Sequence, residues 1–365
     1  MSEERMTERS FEPSLRPYAN GSSGGIPGVP EVDPSLRARV DNILEGSLVW
    51  DNHGCMPLRP GDHAFLPQLV RYSRNGANVI ALNIGFGSLT LDQHLRQLAD
   101  FRSWIGNHSD RFVLADSITA IEQAQLDNRL AIFFDVEGMA PLDAGDHGVL
   151  ALLRELGVGW MLVAYNEANA AGGGCRSDDG GLTAHGRSLL REMKAVGMLV
   201  CCSHTGLRTA REVIEHADNP VIFSHSNPDA VYSHYRNIPD ELIRAIASVN
   251  GVIGINGVGE FLGPGDDYSE LMARHIDHAV QLVGPEHVGL GLDYVFDRQE
   301  LIDYLNSMPE TFGEAPDYDA LLRFVPPEIY PSLVSRLLDF GYPDVAIQSI
   351  LGGNWRRVAK EVWRE

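Results

Sequence analysis

The chain has 365 residues, 44% of them hydrophobic, and carries 29 Lys and Arg against 50 Asp and Glu for a formal net charge of −21. A surface this acidic repels phosphate backbones and anionic lipid, which argues against nucleic acid and membrane partners. No stretch approaches the ~18 uninterrupted apolar residues that span a bilayer. The charged start MSEERMTERSFEPSL lacks the apolar centre of a secretory signal, and the polar end RRVAKEVWRE does not read as a lipid-anchor signal. Four cysteines (Cys55, Cys175, Cys201 and Cys202) in a chain of this length are not a disulfide framework, so a reduced, cytoplasmic protein is expected.

Residues 1–33 are rich in Ser, Gly, Pro and charge and read as a flexible arm. DPSLRARVDNILEG then predicts a short helix with Asp33 as cap, Pro34 in the first turn and Gly46 as stop. Residues 34–365 read as a single domain in which short apolar runs alternate with amphipathic segments. The runs predict strands at 47–52, 78–84, 130–136, 160–165, 198–203, 220–224, 251–256 and 288–293. Between them LDQHLRQLADFRSWI, GLTAHGRSLLREMKAVG and YSELMARHIDHAVQLVG predict helices. Near-continuous apolar strands suit a sheet covered on both faces, and about eight strand–helix repeats suit a (β/α)₈ barrel. An open doubly wound sheet is the competing arrangement, but no glycine-rich dinucleotide loop follows the first strand. The segments YPSLVSRLLDFGY and DVAIQSILGGNWRRVAKEVW predict closing helices.

In such a barrel the C-terminal strand ends surround one mouth, where barrel active sites lie. The first strand leads to His53 and Cys55, two residues apart and so able to face one object. The third leads to Glu137, the fourth to Tyr165 and Asn166, the fifth to His204, the sixth to His225 and the eighth to Asp293. One strand-end histidine is more often a hydrogen-bonded core residue than a ligand; three on one rim with carboxylates point to a metal such as Zn²⁺. The other histidines, among them His63, His94, His108, His185, His216, His275, His278 and His287, fall in helices or loops and read as solvated or capping.

DNHGCMP, DVEG, GLTAHGRSLLREMKAVGMLVCCSH, PVIFSHSNPDAVYSHYRNI, HVGLGLD and ILGGNWRRV, in that order over roughly residues 45 to 360, resemble the membrane (renal) dipeptidase family of the amidohydrolase superfamily. The resemblance implies a (β/α)₈ barrel with one or two Zn²⁺ per chain and a dipeptide-like small-molecule substrate. It further implies that His53, Glu137, His204 and His225 ligate metal, with Glu137 bridging. On that resemblance Arg236 would grip the substrate's carboxylate and Asp293 would handle the proton. Tyr165 and Asn166 are expected to meet the substrate, and Tyr165, a neutral O–H donor, to stabilise a developing oxyanion. A homo-oligomer is compatible with all of this.

Two positions depart from the family's pattern. Cys55 stands where the family has an aspartate, and Tyr165 where it has a histidine. Thiolate is a competent zinc ligand at about 2.3 Å, so Cys55 either replaces the carboxylate or leaves Glu137, His204 and His225 around a single zinc. The departures leave room for two other activities: hydrolysis of a different N-acyl or N-modified amino acid, or metal binding without catalysis.

Overall fold

The computed structural model describes residues 26–87, 89–142, 147–307 and 322–364; most of the expected arm lies outside them. The strands are β1 (Trp50–Cys55), β2 (Val79–Phe86), β3 (Phe112–Leu114), β4 (Leu130–Glu137), β5 (Val158–Leu162), β6 (Leu199–Cys201), β7 (Val221–Phe223), β8 (Val252–Asn256), β9 (Val288–Gly291) and β10 (Tyr294–Val295). The order β1-β2-β4-β5-β6-β7-β8-β9 closes on itself where Asp51 of β1 pairs with Leu290 of β9. The ladders are parallel, and helices flank the ring, so the fold is a (β/α)₈ barrel. β3 and β10 are short additions that the apolar pattern does not announce, lying against β4 and β1.

β1 begins later and runs further than its apolar residues suggest. It includes the polar run Asp51–Cys55 because β10 pairs with it there, Gly54 opposite Tyr294 and Cys55 opposite Val295. At the chain's first described helix, Arg37–Glu45, Gly46 is the stop as expected, but Asp33 is not the cap. Its carboxylate instead accepts the Ser35 N–H and O–H at 2.7 Å, closing the turn ahead of the helix.

The barrel interior is graded from bottom to mouth. Alternate residues of a strand share a face, and β2 presents Val79, Ala81 and Asn83 in succession, β4 Ala131, Phe133, Asp135 and Glu137, all buried. The apolar members join one cluster with Trp50, Trp160, Trp355 and Trp363. Trp355 and Trp363 come from the last helix, Asn354–Val362, and the residue after it; their indole N–H groups donate to Leu290 O and Gly159 O at 3.0 and 3.1 Å. The bottom is thereby plugged with aromatic rings, and polar chemistry is confined to the other end. Near that end two glycines admit a close backbone approach: a Cβ at Gly254 or Gly291 would meet Ser224 O at 2.1 or 2.0 Å, beside His225. No helix among the described residues is long and apolar enough to cross a membrane.

Candidate active site

Glu137, the last residue of β4, is the meeting point of the mouth. Its Oε1 lies 3.5 Å from His53 Nε2, 3.4 Å from His204 Nε2 and 3.3 Å from His225 Nε2. All four side chains are buried. Burial, with Asp293 and Asp135 nearby, pushes the Glu137 carboxyl up to about 8 against the pull of His53. Neither Glu137 Oε1 nor His225 Nε2 has a hydrogen-bond partner.

The far side of each ring is held by a different group. Asp135 Oδ2 lies 3.2 Å from His53 Nδ1, and Asn83 Nδ2 donates to Asp135 Oδ1 at 2.9 Å. Asn166 Oδ1 accepts from His204 Nδ1 at 2.7 Å, and Ser224 Oγ lies 2.8 Å from His225 Nδ1. With acceptors on the Nδ1 side, each ring presents Nε2 to the centre, the arrangement of metal-ligating histidines. Burial holds His204 and His225 well below the usual imidazole range, assisted by the charges of Arg236 and His53. Burial would also lower His53, but Asp135, Cys55 and Glu137 outweigh it and raise its affinity for positive charge. Orphaned buried atoms, neutral imidazoles and a clustered carboxylate fit a divalent cation such as zinc.

The Cys55 Sγ lies 3.4 Å from His53 Nε2 and donates to Asp293 Oδ1 at 3.4 Å. Desolvation raises the thiol above its ordinary range, although His53 favours the thiolate. Two sets of ligand atoms lie close enough to hold an ion: His53, Cys55 and Asp293, and His53, Glu137 and His225. The sequence reading gave Asp293 only a proton-handling role; its Oδ1 also lies 3.5 Å from His53 Nε2. Asn256 Nδ2 donates to Asp293 Oδ2 at 2.9 Å and fixes the carboxylate.

Three of these side chains leave the strands through left-handed backbone: Asn166, His204 and Asp293 have φ of 57°, 59° and 55°. Non-glycine residues are uncommon there and concentrate where the surrounding structure enforces a functional orientation.

The site opens into a cavity of about 360 Å³ lined by Glu137, His204, Arg236, Tyr165, Asn166 and Asp293 among others. Arg236 is 4% exposed, its Nη2 reaches only His225 O at 3.5 Å, and its Nε has no partner. Tyr165 stacks on the His204 ring at 4.2 Å, and burial keeps its phenol well above the ordinary value and so protonated.

The structure therefore brings together His53, Cys55, Glu137, Tyr165, Asn166, His204, His225, Arg236 and Asp293. It adds Asp135, Asn83, Ser224 and Asn256, which sequence reasoning missed. Asp135 had a signal, since it stands two residues before Glu137 in FFDVEG and shares its face. Two histidines expected to be solvated or capping are buried instead: His94 donates from Nδ1 to Thr90 O at 2.8 Å, and His275 Nε2 lies 3.2 Å from Leu262 O.

A parallel barrel that gathers imidazoles around one carboxylate at its mouth is the framework of a metal-dependent hydrolase. The chain belongs to the membrane dipeptidase family (peptidase family M19), whose model matches residues 70–307. Glu137, His204, His225, Arg236 and Asp293 fall inside that span, and His53 and Cys55 precede it. The chain is 30% identical over 336 residues to dipeptidase verJ of Clonostachys rogersoniana, covering 91% of this chain and 80% of that protein. Among solved structures it resembles an amidohydrolase from Pseudomonas aeruginosa with a TM-score of 0.79 at 23% identity, covering 89% and 99% of the two chains. A metallopeptidase from Rhodobacter sphaeroides aligns with a TM-score of 0.71 at 19% identity, covering 87% and 100%. The two structural likenesses establish the fold.

Replacing Asp135 should weaken metal binding without unfolding the barrel, because it holds His53 from behind. Asp135→Asn is expected to lower metal affinity about 10- to 100-fold. Competition with a chromophoric chelator measures it, and unchanged affinity would remove Asp135 from the site.

Proposed function

We propose that the chain is a zinc-dependent dipeptidase, hydrolysing the amide bond of dipeptides or closely related small amides. The observation that carries this reading is the buried Glu137 oxygen faced by three imidazoles, in a cavity that also holds the buried Arg236 guanidinium. It is supported by the name of the relative verJ, a dipeptidase. Further support is that the Rhodobacter sphaeroides metallopeptidase is liganded with a phosphinate mimic of the dipeptide L-Ala-D-Ala.

His53, Cys55, Glu137, His204 and His225 would hold the zinc, with Cys55 replacing a carboxylate and Glu137 serving two metal positions. Zinc there supplies a Lewis acid that polarises a carbonyl and acidifies water. Arg236 binds the substrate's terminal carboxylate through its planar fork, which places the scissile amide beside Glu137. Asp293, held by Asn256 through Oδ2, keeps Oδ1 toward the cluster. It accepts the proton of the attacking water and returns it to the leaving amine. Tyr165 donates its O–H to the oxyanion that develops on the carbonyl, a role that needs a neutral phenol. Asn166 keeps the His204 ring in place and forms part of the wall that the substrate contacts.

Dipeptides and their C-terminal amides separate this reading from a general amidase. Losing the carboxylate leaves the buried arginine unpaired, which costs on the order of 2–5 kcal/mol, so the amides should be poor substrates by kcat/KM. Equal kcat/KM for acid and amide would exclude the clamp. The thiol's role is tested by counting metal: Cys55→Ala should bind one zinc fewer per chain than the native protein, and Cys55→Asp should keep the native count. The same count in native and Cys55→Ala protein would mean that the thiol only packs.

A further inference from the structure

Beyond the catalytic groups, the cavity has an aromatic wall that continues from the Tyr165 ring through Phe86 and Tyr304, two residues the mechanism above does not use. The rings run in unbroken contact from the metal-side histidine. Tyr165 stacks on His204 with centroids 4.2 Å apart, Phe86 lies 5.2 Å from Tyr165, and Tyr304 meets Phe86 edge-on at 4.8 Å. Phe86 is the last residue of β2 and is in register with Glu137. Tyr304 belongs to the helix Arg298–Ser307, none of whose residues is fully buried. Leu301, Tyr304 and Leu305 share one face of that helix, at i, i+3 and i+4, and all three line the cavity. An apolar stripe of this kind ordinarily faces a core; here it faces the place where substrate binds.

The ring order says which part of a dipeptide meets it. In the closed sequence β1-β2-β4-β5-β6-β7-β8-β9, β2 stands four strands from β7 in either direction. Phe86 at the end of β2 is thus diametrically opposite the loop after β7, which carries Arg236. A dipeptide whose carboxylate is held by Arg236, with its amide at Glu137, directs its amino-terminal residue toward the β2 side.

We propose that Phe86, Tyr165 and Tyr304 form the pocket for the amino-terminal side chain, and that the substrates are dipeptides beginning with an aromatic or large aliphatic residue. The inference rests on the dipeptidase reading. Aromatic rings favour edge and offset contacts with a further ring, and a side chain that fills an apolar pocket is itself removed from water. A pocket distinguishes side chains that differ by one methylene by roughly 10- to 200-fold, so the contrast between Phe and Gly should be large.

The test measures kcat/KM of the zinc-loaded enzyme on Phe-Ala, Leu-Ala, Ala-Ala and Gly-Ala, and on the reversed Ala-Phe. The expected result is that Phe-Ala and Leu-Ala exceed Gly-Ala by at least about tenfold, with no comparable gain for Ala-Phe over Ala-Ala. Phe86→Ala and Tyr304→Ala should each shrink the Phe-Ala to Gly-Ala ratio, and Tyr304→Phe, which keeps the ring, should preserve it. Equal kcat/KM across amino-terminal side chains, a preference confined to the carboxy-terminal residue, or a ratio indifferent to both truncations would overturn the pocket. Failure to cleave any of the free dipeptides would instead overturn the dipeptidase reading itself, a result distinct from cleavage with a flat profile.

Discussion

A carboxylate buried among imidazoles is the constraint on which the mouth of this barrel depends. Glu137 sits at the end of a strand buried throughout, and burial there makes ionising it unfavourable enough to push its carboxyl up to about 8 even with His53 and Arg236 nearby. A buried charge persists when paired or bound to metal. The three histidine nitrogens around it are turned inward by Asp135, Asn166 and Ser224. Burial keeps His204 and His225 neutral, whereas the surrounding anionic groups draw positive charge to His53. A cation among them satisfies the carboxylate and the imidazoles together, which is why family membership and local electrostatics converge on a metal-dependent hydrolase.

The fold serves that constraint by separating apolar packing from polar chemistry along the same strands. In β4 one inward face passes from Ala131 and Phe133 to Asp135 and Glu137 within seven residues. The C-terminal helix seals the apolar end with Trp355 and Trp363. At the other end, left-handed residues swing Asn166, His204 and Asp293 into the mouth. Stability is thus concentrated below the site, and the site itself carries strained backbone and unpaired polar atoms, a common division in enzymes.

The barrel is legible in the sequence because parallel strands covered on both faces leave short, β-branched apolar runs, and these recur about eight times between helical patterns. The ends of those runs also expose His53, Glu137, His204, His225 and Asp293, since a polar residue after such a run has to be accommodated at the rim. What the pattern hides is whatever depends on a neighbouring strand. β10 and the extension of β1 to Cys55 exist through mutual pairing, and Asp135 and Asn83 are polar residues inside apolar runs whose partnership appears only across the ladder. Tyr304 belongs to an apolar helix stripe that by itself reads as core-facing, and its place in the cavity comes from Phe86, more than two hundred positions away. The Asp33 cap fails for a local reason: a turn captured the side chain first.

Cys55 and Tyr165 both lie against histidines of the mouth. The thiol stays within reach of His53 and Asp293, and the phenol packs on His204 while remaining a proton donor. Neither contact displaces the Glu137 carboxylate from the three imidazoles around it, so the central proposal is that Glu137 holds the metal. Elemental analysis of purified native and Glu137→Gln proteins, with folding checked by circular dichroism, tests it most directly. The account predicts a folded variant that has lost its zinc. Full zinc occupancy in Glu137→Gln would contradict it.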